Sequence, residues 1–354
     1  MTTQFIGVTF PSSFQWHNEE VDVVNSVTAQ INNNFPNSKN LLINSTWLGP
    51  QFDNGEYEKL LRLTTSKIDN VFLLSSIDPM FLNAEQVDNI LNLLKNPVLY
   101  KIGHFDGTEY EFNFHAAKIL PKHFKIYSTD EVVMQDAKHI FLCYNRKPRE
   151  HRVNLVKKLI DHNLKKHGVI TLGENRKIYS KTDKNKLHLS LNEDMSQYST
   201  WTNQIDTFGD IPDDLHSLGN LIIWQNHFLT VVSETEFLPW DNTYVSEKTW
   251  KPIIGLRPFL INGQSKIYKW LRDRGFKTFN HYFNGIELED AKEFEIHGSI
   301  ISVIKYLTTL EKTEIIAMYN NMLPDLKYNR DRFFEFAIEQ QYKINHIFEV
   351  THVQ

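Results

Sequence analysis

The chain has 354 residues, a length that suits two globular domains, with 41% hydrophobic and 23% charged residues. A formal net charge of −5 excludes a generally basic nucleic-acid binder. The single cysteine, Cys143, excludes an intramolecular disulfide and zinc sites built from several cysteines, and it fits a reducing compartment. The first residues, Met1-Thr2-Thr3-Gln4-Phe5, lack the basic start of a signal peptide. No apolar run reaches the ~18 residues needed to cross a bilayer. A soluble, cytoplasmic protein with no membrane span is therefore expected.

Phe5 to Phe10 reads as a first strand, closed by Pro11-Ser12-Ser13. Val21 to Asn34 has a helical period, and Lys39 to Thr46 reads as a strand. Tyr57 to Leu63 reads as helical, and Val71 to Ser76 as a strand ending in Ile77-Asp78-Pro79. Ala84 to Lys95 is amphipathic, with Val87, Ile90, Leu91 and Leu94 on one face. Val98 to Ile102 is again a strand. Strands alternating with helices predict a doubly wound parallel α/β domain.

The loop after that strand crowds His104, Asp106, Glu109, Glu111 and His115 together. Imidazole and carboxylate ligands suit several divalent metals. A polar loop is the favoured reading, and no metal is assigned. Asp106 and Asp78 both lie just past a strand C-terminus, where ligands of parallel sheets bind.

A new unit starts at His139. Its strand, through Asn145, holds Cys143 as a buried residue rather than a nucleophile. Arg146-Lys147-Pro148-Arg149-Glu150-His151-Arg152 follows, then a helix with Val153, Leu155, Val156, Leu159 and Ile160 apolar. Cations at a strand-to-helix turn are either a phosphate site or a solvated helix start. Lys157 to Lys186 is basic, including Lys165, Lys166 and Lys177. Without interleaved aromatic pairs it reads as a solvated face ahead of a nucleic-acid surface. Asp183 to Asp214 is polar and turn-rich, and Leu221 to Trp224 is a short strand or a helix edge.

Phe228 to Val232 is an apolar β-branched strand ending in Ser233-Glu234-Thr235. After a polar loop, Ser246-Glu247-Lys248-Thr249 opens a short helix, and Arg257 to Ile261 reads as the next strand. This is a βαβ unit of a parallel sheet. Ser246 is a good N-cap, and the free N–H groups of the turn with Lys248 suit an anion. Glu247 would repel phosphate but accept from ribose hydroxyls. The plainer alternative is a capped helix with a solvated Glu-Lys pair. Pro252 should kink or shorten this helix. Phe294 to Leu310, Lys312 to Leu323 and Asp331 to Phe348 read as helices.

Tyr244-Val245-Ser246-Glu247-Lys248, preceded by Ser233-Glu234-Thr235, resembles the nucleotide-sugar motif of the α1,3-fucosyltransferases and related GT-B glycosyltransferases. In that family a Tyr-Val-Thr-Glu-Lys segment follows a Phe-Glu-Asn segment; Ser246 replaces the Thr here. The stretch to Phe279 is also similar to viral, phage-type glycosyltransferase-like proteins. Arg152, in Arg152-Val153-Asn154-Leu155, resembles the family arginine that contacts the donor phosphate, with its Asn one place late.

The resemblance implies two Rossmann-like α/β domains facing a cleft (GT-B type): residues 1–136 on the acceptor side and 137–354 binding the nucleotide sugar. A terminal helix is expected to cross back. The implied reaction moves a sugar from a nucleotide diphosphate sugar to a hydroxyl acceptor, with inversion. No cofactor or metal is expected, since the chain contains no Asp-x-Asp pair. Arg152 and Lys248, with Arg149 in reserve, are the cations for the diphosphate. Glu234 and Glu247 would hold ribose, base or sugar hydroxyls, beside Tyr244 and Ser246. Asp106 is the candidate base and Asp78 the alternative. The acceptor is a glycan or a hydroxymethylated base in phage-type DNA, placing the enzyme in host cytoplasm if viral. The rival class is a non-catalytic protein of the same fold that binds a nucleotide sugar or glycan.

Overall fold

The computed structural model describes residues 3–6, 17–44, 67–75, 84–105, 108–145, 149–172, 217–219, 221–235, 237, 243–286 and 293–349. The chain is α/β and divides into two compact units. The first holds Met1–Lys122, Asp241–Tyr244 and Glu335–Gln354; the second holds His123–Trp240 and Val245–Phe334.

The first unit is built on a parallel sheet of β1 (Gln4–Ile6), β2 (Asn40–Asn44), β3 (Asn70–Ser75), β4 (Val98–Gly103) and β5 (Tyr110–Glu111). Residues alternate between its faces, as a strand period of two requires. Leu42, Phe72, Leu74 and Ile102 pack against Val23, Val24, Val27 and Ile31 of α1 (His17–Asn34), with Ile344 and Ile347 from the chain end. Leu41, Ile43, Val71 and Leu73 pack on the opposite face against Val87, Ile90 and Leu94, the first two from α2 (Ala84–Leu93). Both faces are thus covered, as continuous apolar strands demand. The strand order is nevertheless sequential, β1-β2-β3-β4-β5. The doubly wound order expected for this unit, with a reversal, does not occur among its described strands. Strand-helix alternation constrains the layers but not the order in which strands pair. Gly103 closes β4 at φ +102°, and a Cβ there would meet Ser75 O at 2.1 Å, so only glycine fits.

The second unit is built on β6 (His139–Tyr144), β7 (Gly168–Ile170), β8 (His227–Ser233) and β9 (Phe259–Asn262), all parallel, in the order β7-β6-β8-β9. The chain leaves β6 for β7 on one side and returns to β8 on the other. The order therefore reverses between β6 and β8. Three helices open beyond the strand C-termini: α4 (Glu150–Asp161), α6 (Glu247–Ile254) and α7 (Lys266–Asp273), after α3 (Leu120–Phe124) and α5 (Leu221–Gln225) earlier in their stretches of chain. α8 (Glu293–Thr308) follows.

Three details depart from the sequence expectations. β7 and α7 carry no counterpart among the expected elements, whereas Leu221–Gln225 is helical, one of the two readings its sequence left open. β9 starts at Phe259 because Arg257 is fully buried and bonded to carbonyls, and Leu256 takes φ +54°. The two final helices are one helix, α9 (Lys312–Asn345), with Pro324 inside it. Ile315, Tyr319, Met322, Leu326, Phe333, Phe336 and Ile344 form one buried stripe across the proline. That packing outweighs the local cost of a lost backbone bond. Its residues up to Phe334 belong to the second unit and those from Glu335 to the first. Among the described residues no helix is long and apolar enough to cross a membrane.

Candidate functional site

In open parallel sheets, ligands bind beyond the strand C-termini where the order reverses. In the second unit that place lies between β6, which leads into Asn145, and β8, which leads into Glu234 and Thr235. α4 begins with Arg149 as its N-cap, in extended backbone and without a side-chain cap bond. Arg149 Nη1 donates to Thr235 O. Arg152 Nη2 donates to Glu234 O at 2.7 Å, and His151 Nε2 lies 3.0 Å from the same oxygen. The first turn of α4 is thereby tied to the end of β8.

The start of α6 converges on the same two residues. Ser246 is its N-cap, with Oγ accepting from Lys248 N at 3.3 Å. The N-cap expected from the sequence is present. Lys248 Nζ donates to Thr235 Oγ1 at 3.2 Å and Ser246 Oγ at 3.4 Å, and it pairs with Glu247 Oε1. The helix runs through Pro252 but stops at Ile254.

Glu234 is fully buried, and its carboxylate is enclosed by four donors. Oε1 accepts from Ser246 N at 3.1 Å and Thr249 Oγ1 at 2.5 Å; Oε2 accepts from Thr235 N at 2.9 Å and Ser246 Oγ at 2.5 Å. In this arrangement Glu234 builds the loop and the α6 N-terminus. Gly263 makes room for it, since a Cβ there would come within 2.8 Å of Glu234 Cβ.

The electrostatics favour an anion. Arg149, Arg152 and Lys248 are three cations against the carboxylates of Glu234 and Glu247. Burial, then Arg149, lowers Arg152 to about 10, while Glu234 and Glu247 oppose the shift; it stays charged at neutral pH. Burial and Arg152 hold His151 down at about 3, so it is a neutral hydrogen-bonding ring. Phe237 stacks between His151, with centroids at 5.1 Å, and His297, at 5.4 Å. His297 in turn bonds to Asn262 Oδ1 at 2.9 Å, at the end of β9.

No protein-family model, curated protein or solved structure matches the chain. What the protein does is therefore to be read from the chemistry of this strand edge.

The structure brings Arg149, Arg152, Glu234, Ser246, Glu247 and Lys248 together in the second unit. Tyr244 belongs to the first unit, where its buried ring lies edge-on to His104 at 5.5 Å. Burial, then His115, lowers His104 to about 3. Asp78 and Asp106, the candidate bases, lie outside the described residues, as do Arg146 and Lys147. Among the described residues no group of three or more His, Cys, Asp or Glu side chains is arranged to hold a metal ion. Cys143 is a buried strand residue pushed up to about 11 by burial, which removes it as a nucleophile. In the basic region, Lys157 pairs with Asp161 at 2.5 Å, and Lys165 and Lys166 lie on a short 3-10 turn; Lys177 lies outside the described residues.

Sequence reasoning missed Thr235, Thr249, His151, Phe237 and His297. Thr249 alone carried a local signal, three places after the N-cap on the first turn of the helix. The others are joined by tertiary contacts, the start of α4 against the segment after β8, and His297 against Phe237 and Asn262.

Proposed function

We propose that the protein is a GT-B-type glycosyltransferase that moves a sugar from a nucleotide diphosphate sugar to a hydroxyl, with inversion and without a metal. The observation that carries this reading is the convergence of Arg149, Arg152 and Lys248 on Glu234 and Thr235, at the reversal of strand order. As the glycosidic C–O bond breaks, negative charge grows on the departing diphosphate. Cations already held in place stabilise that charge without reorganising. Glu247 accepts from ribose hydroxyls once phosphate has drawn Lys248 away from it. Glu234 keeps Ser246 and Thr249 in position behind the phosphate. Tyr244 anchors the segment that leads into the motif. The acceptor hydroxyl transfers its proton to a carboxylate, Asp106 or Asp78, as it attacks the anomeric carbon. The absence of any Asp-x-Asp pair supports cations rather than a metal at the diphosphate.

The acceptor is a hydroxyl of a glycan or of a hydroxymethylated base in DNA. A salt series separates the two, because each phosphate contact with DNA contributes roughly 0.7 to 0.9 to the log-log slope of binding. The test of the function is a thermal-shift screen against nucleotide diphosphate sugars, followed by turnover with the best ligand. A ligand of the native state raises the melting temperature, and turnover should persist in EDTA. Binding without turnover on any acceptor indicates a non-catalytic binding protein. Turnover abolished by EDTA and restored by manganese or magnesium sinks the metal-free mechanism.

A further inference from the structure

Asn145 takes no part in the phosphate chemistry just described, yet it stands at the same reversal of strand order. It follows β6 directly. The β6–β8 register pairs Tyr144 with Val232, and the β8–β9 register pairs Ser233 with Asn262. Asn145 is therefore level with Ser233 and Asn262 along the sheet edge. It is 1% exposed.

Its bonding is lopsided. Asn145 N donates to Thr171 Oγ1 at 3.0 Å, and Nδ2 donates to Thr171 O at 3.0 Å. Nδ2 also lies 3.3 Å from Cys143 Sγ and 3.4 Å from Cys143 O. These acceptors fix the amide orientation, because exchanging the two ends would set oxygen against oxygen. Oδ1 is left buried with no hydrogen-bond donor. A buried acceptor without a donor is costly, so such atoms usually mark an ordered water or a ligand. Asn145 is level with Ser233, and the next residue along, Glu234, accepts from Arg152 Nη2 at 2.7 Å, so Arg152 and the Asn145 strand end share one neighbourhood.

We propose that Asn145 Oδ1 is a specificity-determining acceptor for the nucleoside half of the donor, receiving a hydrogen bond from an N–H of the base or an O–H of the ribose. This inference rests on the donor-site reading given above. It divides the site into two parts. Arg149, Arg152 and Lys248 hold phosphate of any origin. Asn145 separates a nucleoside diphosphate from bare pyrophosphate, and prefers nucleosides whose donor reaches it.

The experiment is calorimetric binding of pyrophosphate and of UDP, GDP, ADP and CDP to wild type, Asn145→Ala and Asn145→Asp, with thermal melts to verify folding. The quantity read is the ratio of nucleoside diphosphate affinity to pyrophosphate affinity. Asn145→Ala should lower that ratio by about 5- to 150-fold for the preferred nucleotide, the size of one buried hydrogen bond. Asn145→Asp keeps an oxygen at the Oδ1 position and should retain most of the ratio, although its charge weakens both ligands. It loses the Nδ2 bonds to Thr171 and Cys143, so a merely structural role predicts that both variants shift alike. Deoxy analogues of the preferred nucleotide then assign the bond: loss of the Asn145→Ala effect with a 2′- or 3′-deoxy ligand places it on the ribose, and its persistence places it on the base. An unchanged ratio in Asn145→Ala, as an ordered water on Oδ1 would give, overturns the inference while leaving the donor site intact. Failure of wild type to bind any of these ligands overturns the donor-site reading and this inference with it.

Discussion

Glu234 and Lys248 lie at opposite ends of the site's chemistry, and substitutions at the two should fail differently. Glu234 is fully buried and accepts four hydrogen bonds, two of them from backbone N–H groups that cannot turn away. In Glu234→Gln one oxygen becomes an NH2 and faces donors, one of them such an N–H. We expect a stability loss of about 2–4 kcal/mol, read as a lower urea midpoint at constant m value. A midpoint unchanged from wild type would show that the four bonds contribute little. Lys248 is partly exposed and holds the helix start only loosely. Lys248→Ala should leave the urea midpoint nearly unmoved and weaken binding of a nucleoside diphosphate about 10- to 100-fold, as expected for one charge-assisted bond to phosphate. Equal binding by the variant and wild type would remove Lys248 from the phosphate site.

The α6–β9 connection shows an element held by one buried cation. Arg257 has no exposed surface. Its guanidinium donates to His227 O at 2.8 Å, Gly255 O at 3.0 Å, Leu256 O at 2.8 Å, Trp224 O and the Tyr319 hydroxyl at 3.1 Å. It thereby joins the end of α5, the start of β8, the turn before β9 and α9. Carbonyl dipoles take the place of a carboxylate, and Leu256 is held at φ +54° beside them. Arg257→Met fills similar volume but leaves four carbonyls without their donor in a dry interior. It should destabilise the protein by about 3–5 kcal/mol in chemical denaturation. A loss below about 1 kcal/mol would mean that water or a neighbouring donor replaces the guanidinium.

For the whole molecule, acid sensitivity should come from histidines before carboxylates. Burial lowers His104 and His151 to about 3, His297 to about 4 and His227 well below its usual value of 6.5. Each is neutral when folded but gains a proton below about pH 6.5 once unfolded. The unfolded chain then binds more protons, so stability is full above pH 6.5 and falls as pH drops toward 4. His104, His151 and His227 should each contribute on the order of 1 kcal/mol per pH unit within that window. Asp69, Asp136 and Asp273 are lowered from 3.8 by hydrogen bonds and lysine neighbours, so they titrate below it. The melting temperature should therefore fall by at least about 5 °C from pH 7.5 to pH 5.0. A flat profile across that interval would show that these rings are hydrated or already protonated.

Local patterning determined most elements of this protein. The continuous apolar runs at Val71 and Phe228 had to be buried strands, Ser246 had to cap a helix, and the apolar face of Ala84 to Leu94 had to pack on a sheet, because these outcomes depend on neighbours a few residues away. The motif at Ser246 to Lys248 was visible for the same reason. Strand order was not, since pairing is decided by which edges meet in three dimensions. The reversal beside β6 and the sequential order of the first sheet emerged only in the tertiary structure. Pro324 signals a break when read locally, whereas a buried stripe running from Ile315 to Ile344 keeps the helix whole. Glu234 reads as a ligand contact in sequence, yet in the fold it is enclosed by Thr235, Ser246 and Thr249. Its role depends on donors that arrive from across a loop, and no spacing along the chain specifies their approach.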